Sequence, residues 1–367
     1  MKSLSIKNYK NLRDLKIDSL SKVNLIVGMN NSGKSTLLEA ISIYATNGDI
    51  NHLKRILDSR GISSSYAISE EEVAEKELDN YLSLFTDKNV NLHNPIEICI
   101  NKQECKNKTS IKLINVEENW ITDSTGDSVT KRRIVEDGEN INPNANLFKG
   151  LSIIINNEPK QLYLFRNYRS RYSPISKLLP CEYVQTLHIS SEKNPFYYDS
   201  IAMSTLEDEL IKSLNIIDSQ IDAINFLEDY KKRANSTDRV PYIVYKGSSK
   251  RYLLSTMGDG INRILTIILA MLNCKDGVFL VDEFDNGLHY SVQTKLWKMI
   301  YRLAENLNIQ VFATTHSDDC IKSFIEADEN GDGKLIRLEN RGGDITAVEF
   351  NDKDRLVFAI NNDVEVR

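Results

Sequence analysis

Residues 28–36 read GMNNSGKST, a glycine, four residues, and then Gly-Lys-Ser. That spacing is the pattern of a phosphate-binding loop, GxxxxGK[ST]. Gly28 and Gly33 let the backbone turn so that N–H groups face phosphate oxygens. Asn30, Asn31, Ser32 and Thr36 complete the loop and are expected to share in nucleotide contact. Lys34 would bring positive charge to the β- and γ-phosphates, and the Ser35 hydroxyl would ligate Mg²⁺. Further along, GVFLVDEFDNGLH places Asp282 and Glu283 just past an apolar run. Asp282 suits a Mg²⁺-holding role, and Glu283, one residue on, can orient a water or take its proton. No NKxD element for guanine is present, so ATP is favoured over GTP. His316 ends an apolar stretch in ATTHS, where an imidazole can hydrogen-bond a γ-phosphate. LSTMGDGINR (254–263) offers Ser255, Gly258 and Gly260 as an anion-facing loop before a helix. Each signal has an ordinary alternative: a chance turn, an acidic loop, a satisfied histidine. Their order along one chain favours the nucleotide reading.

These residues need particular elements under them. VNLIV (23–27) is a buried strand leading into the loop, and GKSTLLEAISIYAT (33–46) continues as a helix. A hairpin precedes the strand, with Leu4, Ile6, Leu15 and Ile17 alternating. From 251 the α/β order returns: a helix (261–272), a strand (277–281), an amphipathic helix through Leu296, Ile300 and Leu303, a strand (309–315), a helix (318–327) and a hairpin (335–350). The expected fold is α/β, with residues 1–47 and 250–367 forming one split ATPase head. Residues 48–249 are expected as an insertion of strands and a helical lid. Within it IEICI (96–100) and LSIII (151–155) read as strands. Residues 199–233 read as a helix, with Leu206, Leu210, Leu214, Ile217, Ile221 and Ile224 at spacings of four and three. That stripe suits a packed lid helix, with an intermolecular zipper as the alternative.

The 367 residues are 41% hydrophobic, ample for a core, and carry a formal net charge of −6. A protein that coats nucleic acid is usually basic, so any such contact must be local. Five scattered cysteines with no CxxC pair argue against a disulfide or zinc framework and for a reducing compartment. No secretory leader is evident at the N-terminus. The apolar stretch near 264–272 is far short of the roughly 20 residues a membrane span needs. A cytoplasmic protein is the expectation.

Taken together, IKNYKNLRDLKI, GMNNSGKSTLLEAI, LSTMGDGINR, VDEFDNGLHYSVQ and QVFATTHSDDC resemble the RecF/OLD-type, AAA-labelled ABC ATPases related to SMC heads. The resemblance covers the first 46 residues and roughly 250–367. It implies an ABC/SMC-like P-loop head working as a homodimer or higher homo-oligomer, with two ATPs sandwiched head to tail. It implies that Ser255 and Gly258 cap the γ-phosphate held by the other subunit, and that Asn286–Gly287 form the D-loop. A Q-loop glutamine is less evident; Gln185 is the candidate, as a further metal contact. Only 50 residues follow Ser317, so the TOPRIM nuclease domain of OLD proteins is not expected here. A separate nuclease or toxin effector is therefore expected, as in the paired anti-phage systems PARIS and Septu. DNA repair and a non-catalytic ATP-occupancy sensor are the alternatives.

Two further signals stay open. Residues 159–181 contain no acid and five bases, Lys160, Arg166, Arg169, Arg171 and Lys177, interleaved with Tyr163, Phe165, Tyr168 and Tyr172. Such a stretch can grip nucleic acid, dock a partner, or be a solvated face. Residues 328–339 (DENGDGKLIRLE) fit the EF-hand loop pattern for Ca²⁺. The segment that follows reads as strand, turn, strand, so a polar turn is favoured over calcium.

Overall fold

The protein is described here from a computed structural model, which covers residues 1–61, 70–88, 94–101, 107–122, 128–136, 139–165, 177–185, 193–228 and 239–350. It divides into two compact units. One comprises Met1–Ser19, Glu39–Leu178 and Asn340–Thr346; the other comprises Leu20–Leu38, Leu179–Glu339 and Ala347–Arg367.

The second unit is built on a six-stranded sheet. Its strands are β3 (Val23–Val27), β9 (Cys181–Val184), β13 (Val278–Val281), β14 (Gln310–Thr314), β15 (Gly333–Arg341) and β16 (Asp344–Phe350), in the order β16-β15-β3-β14-β13-β9. From β15 to β9 every pairing is parallel. A parallel sheet is covered on both faces, which explains why VNLIV and VFLV are buried at every position. Helices α6 (Asp259–Leu272), α7 (Tyr290–Asn306) and α8 (Asp318–Ala327), with α4 (Asn194–Ile201) and α5 (Thr205–Ile217), share one apolar core with the strands. Ser204 and Ser317 cap α5 and α8, each accepting a backbone N–H from the first turn. A small antiparallel sheet, β10 (Ile221–Glu228), β11 (Arg239–Tyr245) and β12 (Arg251–Leu253), completes the unit.

The first unit is an antiparallel sheet of seven strands. The path is β2-β1-β4-β5-β7-β8, with β6 paired to β5. Its members are β1 (Leu4–Tyr9), β2 (Leu12–Ile17), β4 (Ile96–Ile100), β5 (Asn107–Thr122), β6 (Ser128–Val135), β7 (Asn146–Ile155) and β8 (Glu158–Leu164). Helices α2 (Ile50–Ser59) and α3 (Glu70–Leu82) belong with it, as does most of α1 (Lys34–Ala45). Glu39 on α1 is buried and takes charge-assisted bonds from Lys10 at 2.7 Å and Arg60 at 2.7 Å, plus the Tyr9 hydroxyl at 3.0 Å.

Two expectations are corrected. The boundaries at 47 and 250 fall elsewhere, because β1 needs a partner on its second edge. IEICI supplies it, pairing Leu4 with Ile100 and Ile6 with Ile98. The N-terminal hairpin thus joins the middle strands, while residues 179–249 join the unit holding the phosphate loop. The helix expected over 199–233 ends at Ile217, and 221–228 is strand β10. A bulge between Ile221 and Ala223 stretches the strand's two-residue alternation to Ile221, Ile224 and Phe226, all buried. That spacing of three imitates a helical stripe.

Candidate functional site

Parallel strands in register bring their following loops to one edge, the carboxyl edge where ligands bind in open α/β sheets. β3 ends at Val27 and opens into the 28–36 loop. β13 ends at Val281 and opens into Asp282–Glu283. Val184 of β9 is in register with Val281, and its carbonyl accepts the Asp282 N–H at 2.9 Å, so Gln185 stands beside Asp282. Thr314 of β14 is in register with Ile26, and His316 follows on the same edge, exposed. All these residues belong to one unit.

The loop has the shape a phosphate requires. Gly28 has φ +145°, and a Cβ there would lie 2.5 Å from the Leu338 carbonyl oxygen and 2.7 Å from Ser32 Oγ. Only glycine fits that approach. Asn31 (φ 62°) and Gly33 (φ 90°) also turn left-handed, keeping the chain curled. Lys34 Nζ donates to the carbonyls of Gly28 at 2.7 Å and Met29 at 3.0 Å, which folds its ammonium back over the loop. Burial lowers the Lys34 pKa, while Asp282 and Glu283 nearby pull it up. Ser32 Oγ is buried with no hydrogen-bond partner among the described residues, a polar atom suited to a ligand oxygen. Thr36 is buried, Ser35 half-buried, and Asn30 and Asn31 exposed.

Asp282 is 8% exposed, and its Oδ1 accepts from Thr314 Oγ1 at 2.5 Å. Thr314 Oγ1 also accepts the Glu283 N–H at 2.8 Å. Glu283 adopts φ 45°, a left-handed conformation uncommon outside glycine and characteristic of functional sites. Its carboxylate makes no hydrogen bond among the described residues and is half-buried. The hard oxygens of Ser35 and Asp282 suit Mg²⁺, which takes few protein ligands and completes its shell with phosphate and water. The orphaned Ser32 hydroxyl, the glycine-only cradle and this donor set fit a magnesium nucleotide.

The LSTMGDGINR segment begins in a 3₁₀ turn, Leu254–Met257, with Ser255 exposed, followed by Gly258 at φ 103° as N-cap of α6. Gly260 faces the segment after Glu283, since a Cβ there would lie 3.0 Å from the Gly287 carbonyl oxygen. Thr314 and Thr315, whose hydroxyl donates to Asp285 at 2.5 Å, escaped sequence reasoning. Both lie in ATTHS, immediately before His316.

The other candidates fare differently. Arg166, Arg169 and Arg171 lie outside the described residues, as do Tyr168 and Tyr172. Tyr163 and Phe165 are buried and pack on each other and on Tyr81, so these two rings are core and not stacking platforms. In the EF-hand-like segment, Asp328 Oδ1 accepts the N–H groups of Gly331 and Asp332 at 3.0 and 2.9 Å, and Gly333 opens strand β15. The segment after the loop is a strand, where an EF-hand requires a helix.

Residues 1–321 match the family described as the AAA ATPase domain. The chain belongs to that family. This ATPase is 27% identical over 340 residues to the "ATP/GTP phosphatase" of Helicobacter pylori, covering 88% of the chain and 86% of that protein. It is 32% identical over 104 residues to an uncharacterized protein of Methanocaldococcus jannaschii, covering 25% of the chain and 48% of that protein. Its fold is that of the ABC-type head of SMC proteins. An SMC head solved bound to the C-winged helix domain of ScpA superposes with a TM-score of 0.51 at 14% identity, over 96% of this ATPase and 99% of that chain. Among the described residues no helix is long and apolar enough to cross a membrane.

Proposed function

We propose that the ATPase binds ATP on the 28–36 loop and hydrolyses it with Glu283 as general base. Asn30, Asn31, Ser32, Gly33 and Thr36 face the phosphates with their backbone or side-chain groups. Lys34 neutralises the β- and γ-phosphates, and Ser35 and Asp282 would hold Mg²⁺, with Gln185 beside them. A magnesium ion held there would offset negative charge on the phosphates. Glu283 accepts a proton from water as the water oxygen bonds the γ-phosphorus. The β–γ bridging bond breaks, its electrons leave on ADP, and phosphate is released. His316 contacts the γ-phosphate and reports its loss. The observation that carries this reading is the left-handed Glu283, its carboxylate unbonded among the described residues, at the same sheet edge as a loop only a glycine at 28 can form.

Ser255, Gly258 and Gly260, exposed or half-buried at the start of α6, would complete the site of a second copy, so that two heads close around two nucleotides. That closure would act on a partner effector, a reading supported by the resemblance to ATPase subunits of anti-phage systems. The test is E283Q. It should accumulate as an ATP-bound dimer by light scattering, with phosphate release lost. A monomeric E283Q with wild-type turnover would refute both the base and the closure.

A further inference from the structure

Helix α6 carries an arginine that the reaction above does not use. Arg263 is 2% exposed. Its Nη2 donates to the carbonyl oxygen of Asp282 at 3.0 Å and to that of Glu283 at 2.6 Å. Nε and Nη1 find no hydrogen-bond partner among the described residues. Enclosing a guanidinium with two nitrogens idle disfavours the folded state. Burial indeed pushes its pKa below the ordinary arginine value, with Asp285, Glu283 and Asp282 pulling it back. A residue kept against stability invites a functional account.

The geometry supplies one. Residue 283 is flanked by two peptide planes. The plane between Asp282 and Glu283 is held at its carbonyl by Arg263 and at its N–H by Thr314 Oγ1. The plane between Glu283 and Phe284 is held at its carbonyl by Arg263 and at its N–H by the Thr314 carbonyl, at 2.9 Å. Two residues thus grip both planes from both sides, and φ 45° at Glu283 lies between them. A non-glycine residue keeps such a conformation only where its surroundings over-determine it. Gly260, on the same face of α6 one turn earlier, has no side chain where the Gly287 carbonyl approaches, so the helix can lie close enough for the grip.

We propose that Arg263 is a positioning residue that locks the backbone of Glu283 in its left-handed form and so aims its carboxylate at the nucleotide edge. This rests on the reading of Glu283 as the base. Arg263 touches no substrate; it acts through residue 283.

The experiment compares steady-state ATP hydrolysis and thermal melting of the full chain with R263M, R263K, E283Q and R263M/E283Q. Release of strain of the size stored at such residues corresponds to a fall in kcat of about 10- to 100-fold in R263M, with KM for ATP within about twofold. Melting should be unchanged or raised, because an idle buried charge has been replaced by an apolar chain of similar length. R263K should be intermediate in kcat, and R263M/E283Q should be no slower than E283Q. Wild-type kcat in a folded R263M, a KM that rises in step, or a further loss in the double variant overturns the proposal. If R263M does not fold, R263K against wild type decides: a lowered kcat at constant KM supports it, and wild-type kcat overturns it. An impaired E283Q beside a fully active R263M refutes the role of Arg263 alone; a fully active E283Q refutes Glu283 as base and Arg263 with it.

Discussion

Adding one methyl group at residue 28 is the most severe small perturbation the phosphate loop offers. In G28A the Cβ would meet the Leu338 carbonyl oxygen at 2.5 Å and Ser32 Oγ at 2.7 Å, and φ +145° disfavours any L side chain. Ser32 Oγ can rotate aside, but the backbone of β15 cannot. Strained φ contributes about 1–3 kcal/mol and overpacking against fixed backbone about as much again. The sum is about 2–6 kcal/mol, and for a unit of this size each kcal/mol shifts Tm by about 2–4 °C. A fall of about 4–24 °C is expected. Relief of the clash moves the loop amides, and losing two charge-assisted phosphate bonds weakens ATP at least about 30-fold. Gly247 is the control: its φ is +73°, but nothing lies within 4 Å of its Cβ position. G247A should lose roughly 1–2 kcal/mol from the left-handed backbone alone and bind ATP normally. Scanning calorimetry and titration calorimetry with ATP read both effects. If G28A melts and binds as G247A does, the close approach that defines the cradle is wrong.

Other perturbations test other parts. T314V removes the hydroxyl shared by Asp282 and Glu283; kcat should fall about tenfold or more, and Mg²⁺ dependence should shift to higher concentration, as measured by phosphate release. E39A leaves Lys10 and Arg60 without their carboxylate and should lower stability by about 3–5 kcal/mol in urea unfolding. Burial lowers the Lys10 pKa below 10.5 in the folded protein, so the unfolded chain binds the proton more tightly there. The penalty is full below the folded pKa and fades as pH rises towards 10.5, so wild type should gain stability relative to K10M over that range, followed by thermal melting.

The sequence disclosed what lies in one contiguous stretch. Gly28, Gly33, Lys34 and Ser35 are legible because phosphate chemistry demands those types at that spacing, and Asp282–Glu283 because an apolar strand points at them. Arg263 and Thr314 were not, because a side chain that bonds a main-chain carbonyl or N–H leaves no partner residue type to read. Arg263 sat in plain view in GDGINR, yet nothing in one chain separates a buried arginine from a solvated one. The partner of β1 was hidden for a different reason. Many apolar stretches could pair with LSIKNY, and the choice of IEICI, some 90 residues on, is made by the assembled sheet. At β10 a single bulged residue was enough to turn a strand's signature into a helix's.

Thr314 has one further consequence. Its proton is committed to Asp282 and its lone pair to Glu283, so the residue suited to the metal and the residue suited to the water share one oxygen atom. The two carboxylates are therefore not set independently: a turn of Asp282 that breaks its bond to this hydroxyl also changes the acceptor offered to the Glu283 N–H.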